Sequence, residues 1–195
     1  FDSDDWLEPN AYETLYNEAI KNEADLVWCD YYRSDGKNKK LVSTMKQPKL
    51  MQGPVWNKLI KASLYKEDII FPTANKAEDG ALLTQLSYYS QKRTYVPRPL
   101  YYYFINPASI CSVVSEDACL KKMNQEIDNV LLREKFLKKH GIYDENINHV
   151  LRWKMLCRKN LIPILSNRKY YKLWKSTFPE IDKNYLLSSS INIRM

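Results

Sequence analysis

The sequence predicts an α/β domain over residues 1–114 followed by a basic α-helical extension over residues 115–195. In the front part, stretches of helical spacing alternate with short apolar runs rich in Val and aromatic residues, each bounded by Gly, Pro, Asn or Asp. The back part carries long helical patterns punctuated by Gly141, Pro163 and Pro179. Charge divides at the same place. Residues 1–114 hold 14 Lys plus Arg and 14 Asp plus Glu, whereas residues 115–195 hold 16 and 9, so the whole net charge of +7 lies in the back. With 45% apolar and 13% aromatic residues among 195, the chain has material for a real core and is not of disordered composition.

The elements follow in order. In "EPNAYETLYNEAIKNEA", Tyr12, Leu15, Tyr16 and Ala19 recur at helical spacing, which predicts a helix with Pro9 near its first turn and Asn10 as its cap. "ADLVWCDYY" is a short apolar run bounded by charge, and its Val, Trp and Tyr content favours a buried strand. "RSDGKNKK" reads as a turn or exposed loop. After the loop "KQPKLMQGPV", the stretch "WNKLIKASLYKEDIIF" sets Trp56, Leu59, Ile60 and Leu64 on one face of a predicted helix. A polar loop, "PTANKA", leads into "EDGALLTQLSYYSQK", a helix opening on two acids as the helix dipole favours. "RTYVPRPLYYYFI" reads as two short strands broken by Pro97 and Pro99. Three basic helices are expected beyond Glu116, near residues 116–139, 144–160 and 167–177.

Composition narrows the function classes. No apolar run approaches the roughly 18 residues a membrane span needs, so the chain is expected to be cytoplasmic or peripheral to a membrane. Cys29, Cys111, Cys119 and Cys157 show neither zinc spacing nor a disulfide framework and read as reduced, buried small hydrophobes. His140 and His149 sit among charged residues and read as solvated helix positions. The basic back points to an anionic partner such as lipid headgroups, with a solvated basic surface as the plain alternative. Its basic helices with Trp153, Tyr170, Tyr171 and Trp174 also raise nucleic-acid binding, which the absence of a recognisable motif and the acids of the front disfavour.

Those acids open the chain as "FDSDDWLEP". Carboxylates this close repel unless something positive sits among them, and a divalent cation is the usual answer. Asp2 and Asp4 alternate, so on an extended segment their side chains point the same way. The alternative is that Asp4 or Asp5 caps the following helix.

The segment also resembles "F-x-DSDD-W-x-E-P" of glycosyltransferase family 2, inverting sugar transferases of the GT-A fold that build bacterial polysaccharides, with one residue fewer after the Phe. "YETLYNEAIKNEADLVWCDYY", "WNKLIKASLY", Phe71-Pro72, "EDG", "PLYYYFINPASI" and "YYKLWKSTFPEI" follow in the family's order. The resemblance implies a partial, Rossmann-like GT-A domain with the metal and acceptor side in residues 1–114, lacking its N-terminal nucleotide-binding half. It implies a nucleotide-sugar donor, expected to be a UDP-sugar, a saccharide or lipid-linked acceptor, and Mg2+ or Mn2+ as cofactor. Asp2 and Asp4 would hold the nucleotide and the metal, with Asp5 beside them. Asp79 in "EDG" would be the catalytic base, with Glu78 its neighbour, although Asp79 also reads as an ordinary first-turn acid. Trp56, Asn57 and Lys58 match a segment on the acceptor side, although Trp56 also suits a core. Phe104 stands where the family usually has Arg after "Y-x-Y", so any phosphate contact would pass to Lys58 or Arg98. A peripheral contact with anionic membrane at the inner face of the cell membrane fits lipid-linked acceptors. The rival readings are a basic nucleic-acid-binding module and a noncatalytic interaction domain.

Overall fold

Alternation along one strand, Leu26–Ser34, sets the architecture of the front of the chain. The computed structural model describes residues 2–106, 109 and 114–185. Cys111 and Phe1 lie outside them. Two compact units are present, one of Phe1–Pro72 with Asp79–Val113, the other of Thr73–Glu78 with Val114–Met195.

In the first unit the elements are β1 (Trp6–Leu7), α1 (Ala11–Lys21), β2 (Leu26–Ser34), β3 (Lys39–Val42), β4 (Lys58–Ile60), α2 (Glu78–Tyr89, its first residue in the other unit) and β5 (Arg93–Phe104). The sheet runs β1-β5-β2-β3, with β4 also on β2. β2 and β5 are parallel, joined by a crossover that contains α2, and the remaining pairs are antiparallel. Val27 and Cys29 of β2 join Ala11 and Leu15 of α1, Val96 and Leu100 in one core. Leu26 and Trp28 point the other way, to Met51 and to Leu83 of α2. The sheet is therefore covered by a helix on each face, and the fold is mixed α/β.

Four local expectations change. The helix predicted from Trp56 is instead the short strand β4 and a 3-10 turn at Ala62–Leu64. The buried Asn57 donates from Nδ2 to the Cys29 carbonyl at 2.6 Å, fixing this segment to β2, and from there Leu59 and Ile60 pack into opposite cores. Strand alternation thus replaces the helical face. Pro97 and Pro99 do not break the strand either. β5 is continuous, and the irregular register at Cys29, Asp30 and Tyr31 accommodates residues that lack an N–H. Part of "RSDGKNKK" is not loop but the start of β3, entered through a turn in which the Asp35 carboxylate accepts from the Lys37 and Asn38 amides. β3 lies at the sheet edge with Lys39 and Lys40 exposed. Finally, Asn10 occupies the N-cap position of α1 but makes no side-chain capping bond.

The second unit is helical: α3 (Glu116–Lys139), α4 (Ile147–Lys159), α5 (Arg168–Ser176) and α6 (Glu180–Tyr185). α3 is capped by the Ser115 hydroxyl, carries Glu116 and Asp117 in its first turn and ends on Lys138 and Lys139, all favoured by the helix dipole. Val130 and Leu137 of α3 and Val150, Trp153 and Cys157 of α4 are buried. Cys29, Cys119 and Cys157 are buried free thiols, and burial pushes Cys29 up to about 11 and Cys157 to about 12, so neither is a nucleophile at neutral pH. His149 is half-buried with its ring 6.2 Å from that of Trp153, less solvated than expected.

Arg158 ties the end of this unit together. Its guanidinium donates to the Thr177 carbonyl (2.6 Å), the Phe178 carbonyl (3.0 Å) and the Asp182 carboxylate (2.7 Å), and lies 4.8 Å from the Trp174 ring. Arg158→Met is therefore expected to lower unfolding stability by about 2 kcal/mol, since it leaves the Thr177, Lys175 and Phe178 carbonyls without this donor. Urea unfolding followed by circular dichroism measures this, and an unchanged midpoint would contradict it.

Candidate functional site

The acids that open the chain fold as a turn, not as an extended segment. The Asp5 amide donates to the Asp2 carbonyl at 3.2 Å, so Asp2 and Asp4 do not share a strand face. Asp5 is the buried one. One carboxylate oxygen accepts from the Tyr101 hydroxyl at 2.6 Å and the other from the Phe104 amide at 2.7 Å, which fastens the turn to β5. Burial raises its pKa, the two hydrogen bonds oppose that, and the charges of Asp4 and Asp2 add to the rise. Asp5 is occupied by the fold and does not cap α1. Asp2 and Asp4 are exposed, with Asn106 Nδ2 3.3 Å from an Asp4 oxygen.

Tyr101 carries the site further. Its hydroxyl also accepts from the Asp2 amide at 3.2 Å, and its buried ring stacks on Trp56 with centroids 4.1 Å apart. Tyr103 stacks on Trp56 at 5.6 Å, and Tyr31 meets it edge-on at 4.8 Å. Trp56 remains half-buried, so part of this aromatic cluster is open to solvent. Such surfaces suit the apolar faces of sugars and bases.

Next to Trp56, the side chains of Asn57 and Lys58 turn inward. Lys58 Nζ donates to Asn57 Oδ1 at 2.7 Å and to the Pro54 carbonyl at 2.5 Å. Burial holds this lysine down at about 8, with the negative charge of Asp79 opposing the shift. Asp79 stands in the first turn of α2, where one carboxylate oxygen accepts from the Val55 amide at 3.1 Å. Glu78 precedes it, half-buried, at the first position of the helix. The first unit thus links Asp2, Tyr101, Trp56, Asn57, Lys58 and Asp79 by contacts and chain neighbours. Arg98 is exposed on β5, whereas the Lys58 ammonium is engaged by the protein.

Among the described residues no cluster of three or more Asp, Glu, His or Cys could cage a metal. Two exposed carboxylates beside a third, buried one are still a donor set of the kind Mg2+ uses, which takes one or two carboxylates and completes its shell with phosphate and water.

Tyr31 was not anticipated from sequence. Its signal was present in the Tyr-rich end of β2, which the parallel register sets opposite Tyr101. The polar loop before Asp79 carries a strained residue: Ala77 is left-handed at φ 62°, which for a residue with a Cβ costs about 1–2 kcal/mol.

No family model matches the chain. It is similar to the glycosyltransferase GlyA of Streptococcus pneumoniae, 29% identical over 138 residues that make up 59% of this chain and 20% of GlyA. It is also similar to EpsH of Bacillus subtilis, provisionally named a glycosyltransferase, 33% identical over 129 residues, 56% of this chain and 37% of EpsH. The chain thus spans well under half the length of these relatives. Among solved structures, S. aureus TarS in complex with UDP-GlcNAc aligns over 95% of this chain and 66% of its own, with a TM-score of 0.47 and 13% identity.

The depressed Lys58 predicts a pH effect. An unfolded lysine keeps its proton up to about 10.5, whereas the folded one releases it near 8, so between these values the unfolded state binds more protons and folding stability rises with pH. Cys29 and Cys157, raised by burial, oppose this gain equally in both proteins, so the change in urea-unfolding stability from pH 7.5 to 9.5 should be more favourable in the wild type than in Lys58→Met. An equal change in both would contradict it.

Proposed function

We propose that this chain forms the metal and acceptor side of a family 2 glycosyltransferase of GT-A type. The full-length protein would transfer a sugar, with inversion, from a UDP-sugar to a saccharide or lipid-linked acceptor in cell-surface polysaccharide synthesis. The observation that carries this reading is the linkage of the acidic turn, the Trp56 stack and Asp79 within one unit of a chain whose relatives bear glycosyltransferase names.

In this reading Asp79 is the general base. The acceptor hydroxyl must lose its proton as it attacks the anomeric carbon, and a carboxylate presented by the first turn of a helix is suited to take it. Trp56, with Tyr103, supplies a face for the acceptor sugar. Asn57 fixes Trp56 to β2, and Lys58 is held next to it by Asn57 and the Pro54 carbonyl. Asp4, with Asp2, would hold a Mg2+ or Mn2+ ion, whose charge would offset that gathering on the departing diphosphate.

The second unit is proposed to meet an anionic membrane at the inner face of the cell. Among the described residues no helix is long and apolar enough to cross one. On α5, however, Arg168, Lys169, Lys172 and Lys175 are exposed together with Tyr171, a combination suited to lipid headgroups.

Asp79→Asn in the full-length protein is expected to lower transfer at least about 100-fold while leaving UDP-sugar binding within about twofold. Retained transfer would remove Asp79 as base. Turnover should also vanish in excess chelator and return with Mg2+ or Mn2+; full turnover in chelator would remove the metal role from Asp4 and Asp2. Binding to phosphatidylglycerol vesicles should weaken with salt and exceed binding to duplex DNA. The reverse preference would favour the nucleic-acid reading.

A further inference from the structure

We propose that Asn129 and Arg133 of α3 are positioning residues for Asp79, acting through the backbone of the loop that precedes it. The proposal rests on the reading of Asp79 as the base. Asn129 is 2% exposed and its Nδ2 donates to the carbonyls of Ala74 (3.0 Å) and Lys76 (2.7 Å). One helical turn on, Arg133 is 5% exposed and donates from Nη2 to the carbonyl of Ala77 at 3.1 Å. Three carbonyls among four consecutive residues are thus held by two side chains of one helix, and all of them belong to the second unit. Asp79 follows two residues after the last of these carbonyls.

The clamped residue Ala77 is left-handed at φ 62°, and it turns the chain from the loop into the first turn of α2. An alanine left to itself relaxes out of that region, so surrounding contacts must hold it there. Relaxation would re-aim the residues that follow, and a base displaced by about 1 Å can lose on the order of 100-fold in rate.

A purely structural role explains the clamp less well. Asn129 and Arg133 lie among the buried residues Met123, Val130 and Leu137 of α3, where apolar side chains would serve stability at least as well. Burial lowers the Arg133 pKa to about 10, and among the described residues its Nε finds no hydrogen-bond partner. Stacking 4.6 Å from the Trp153 ring holds the guanidinium where its Nη2 meets the Ala77 carbonyl.

The test uses the full-length protein with Mg2+ or Mn2+, measuring UDP release from UDP-glucose, UDP-galactose and UDP-N-acetylglucosamine. Asn129→Ala is expected to lower kcat roughly 10- to 100-fold with KM nearly unchanged, and amide exchange over residues 78–80 should quicken about 10-fold or more. Combined with Asp79→Asn, it should cause no further loss, because both changes act on the same group. Arg133→Lys, which keeps the cation but not the fork, should show the same pattern and carries the test if Asn129→Ala does not fold. Unchanged kcat or exchange in these variants, with Asp79→Asn inactive, would overturn the clamp and leave the base reading intact. A second loss of equal size in the double variant would also overturn it, by marking a general structural effect. Activity retained in Asp79→Asn would overturn the base reading and the clamp with it.

Discussion

The hydroxyl of Tyr101 is the point on which the site of the first unit depends. It donates to the buried Asp5 carboxylate and accepts from the Asp2 amide, while its ring carries Trp56. A carboxylate buried among other acids is unfavourable unless donors are aimed at it, and Tyr101 and the Phe104 amide are those donors. Asp2 and Asp4, on the same turn, are exposed.

Tyr101 is placed by β5, and β5 is placed by its parallel pairing with β2. β2 therefore organises the unit, feeding one core through Val27 and Cys29 and the other through Leu26 and Trp28. The same strand anchors the segment that carries Trp56, since the Asn57 amide reaches the Cys29 carbonyl. The Val55 amide, two residues before Asn57, meets Asp79. Two hydrogen bonds thus set the loop that presents Trp56 between the sheet and the helix that carries the proposed base.

The fold class, α1, α2 and the long basic helices are legible from helical spacing sustained between charged or turn-forming boundaries, and β2 from a short run of strand-forming residues bounded by charge. β4 is not. Trp56, Leu59, Ile60 and Leu64 satisfy a helical spacing as well as a strand's, and the Asn57 bond to Cys29 that decides the matter joins residues far apart in the sequence. β5 was misread for a related reason, since Pro97 and Pro99 break a regular ladder but are tolerated at register irregularities. Among the candidate site residues, Asp2, Asp4, Trp56 and Asp79 are singled out by motif. Motif reading did not show that Asp5 would be withdrawn into the protein, that Tyr31 would close the Trp56 cluster, or that Asn129 and Arg133 would reach the loop before Asp79. Each depends on contacts that no local pattern encodes.

The sheet edge at β3 has a consequence of another kind. Among the described residues β3 has one side unpaired, and such a strand offers a row of amides and carbonyls to any other extended chain; Leu41 on it is exposed. Lys39 and Lys40 stand on that strand, with the Lys39 ammonium held 4.4 Å from the Tyr32 ring. A second copy approaching edge to edge would have to bring its own lysines against these and desolvate them. Charge placed on such an edge disfavours that pairing and is unrelated to catalysis.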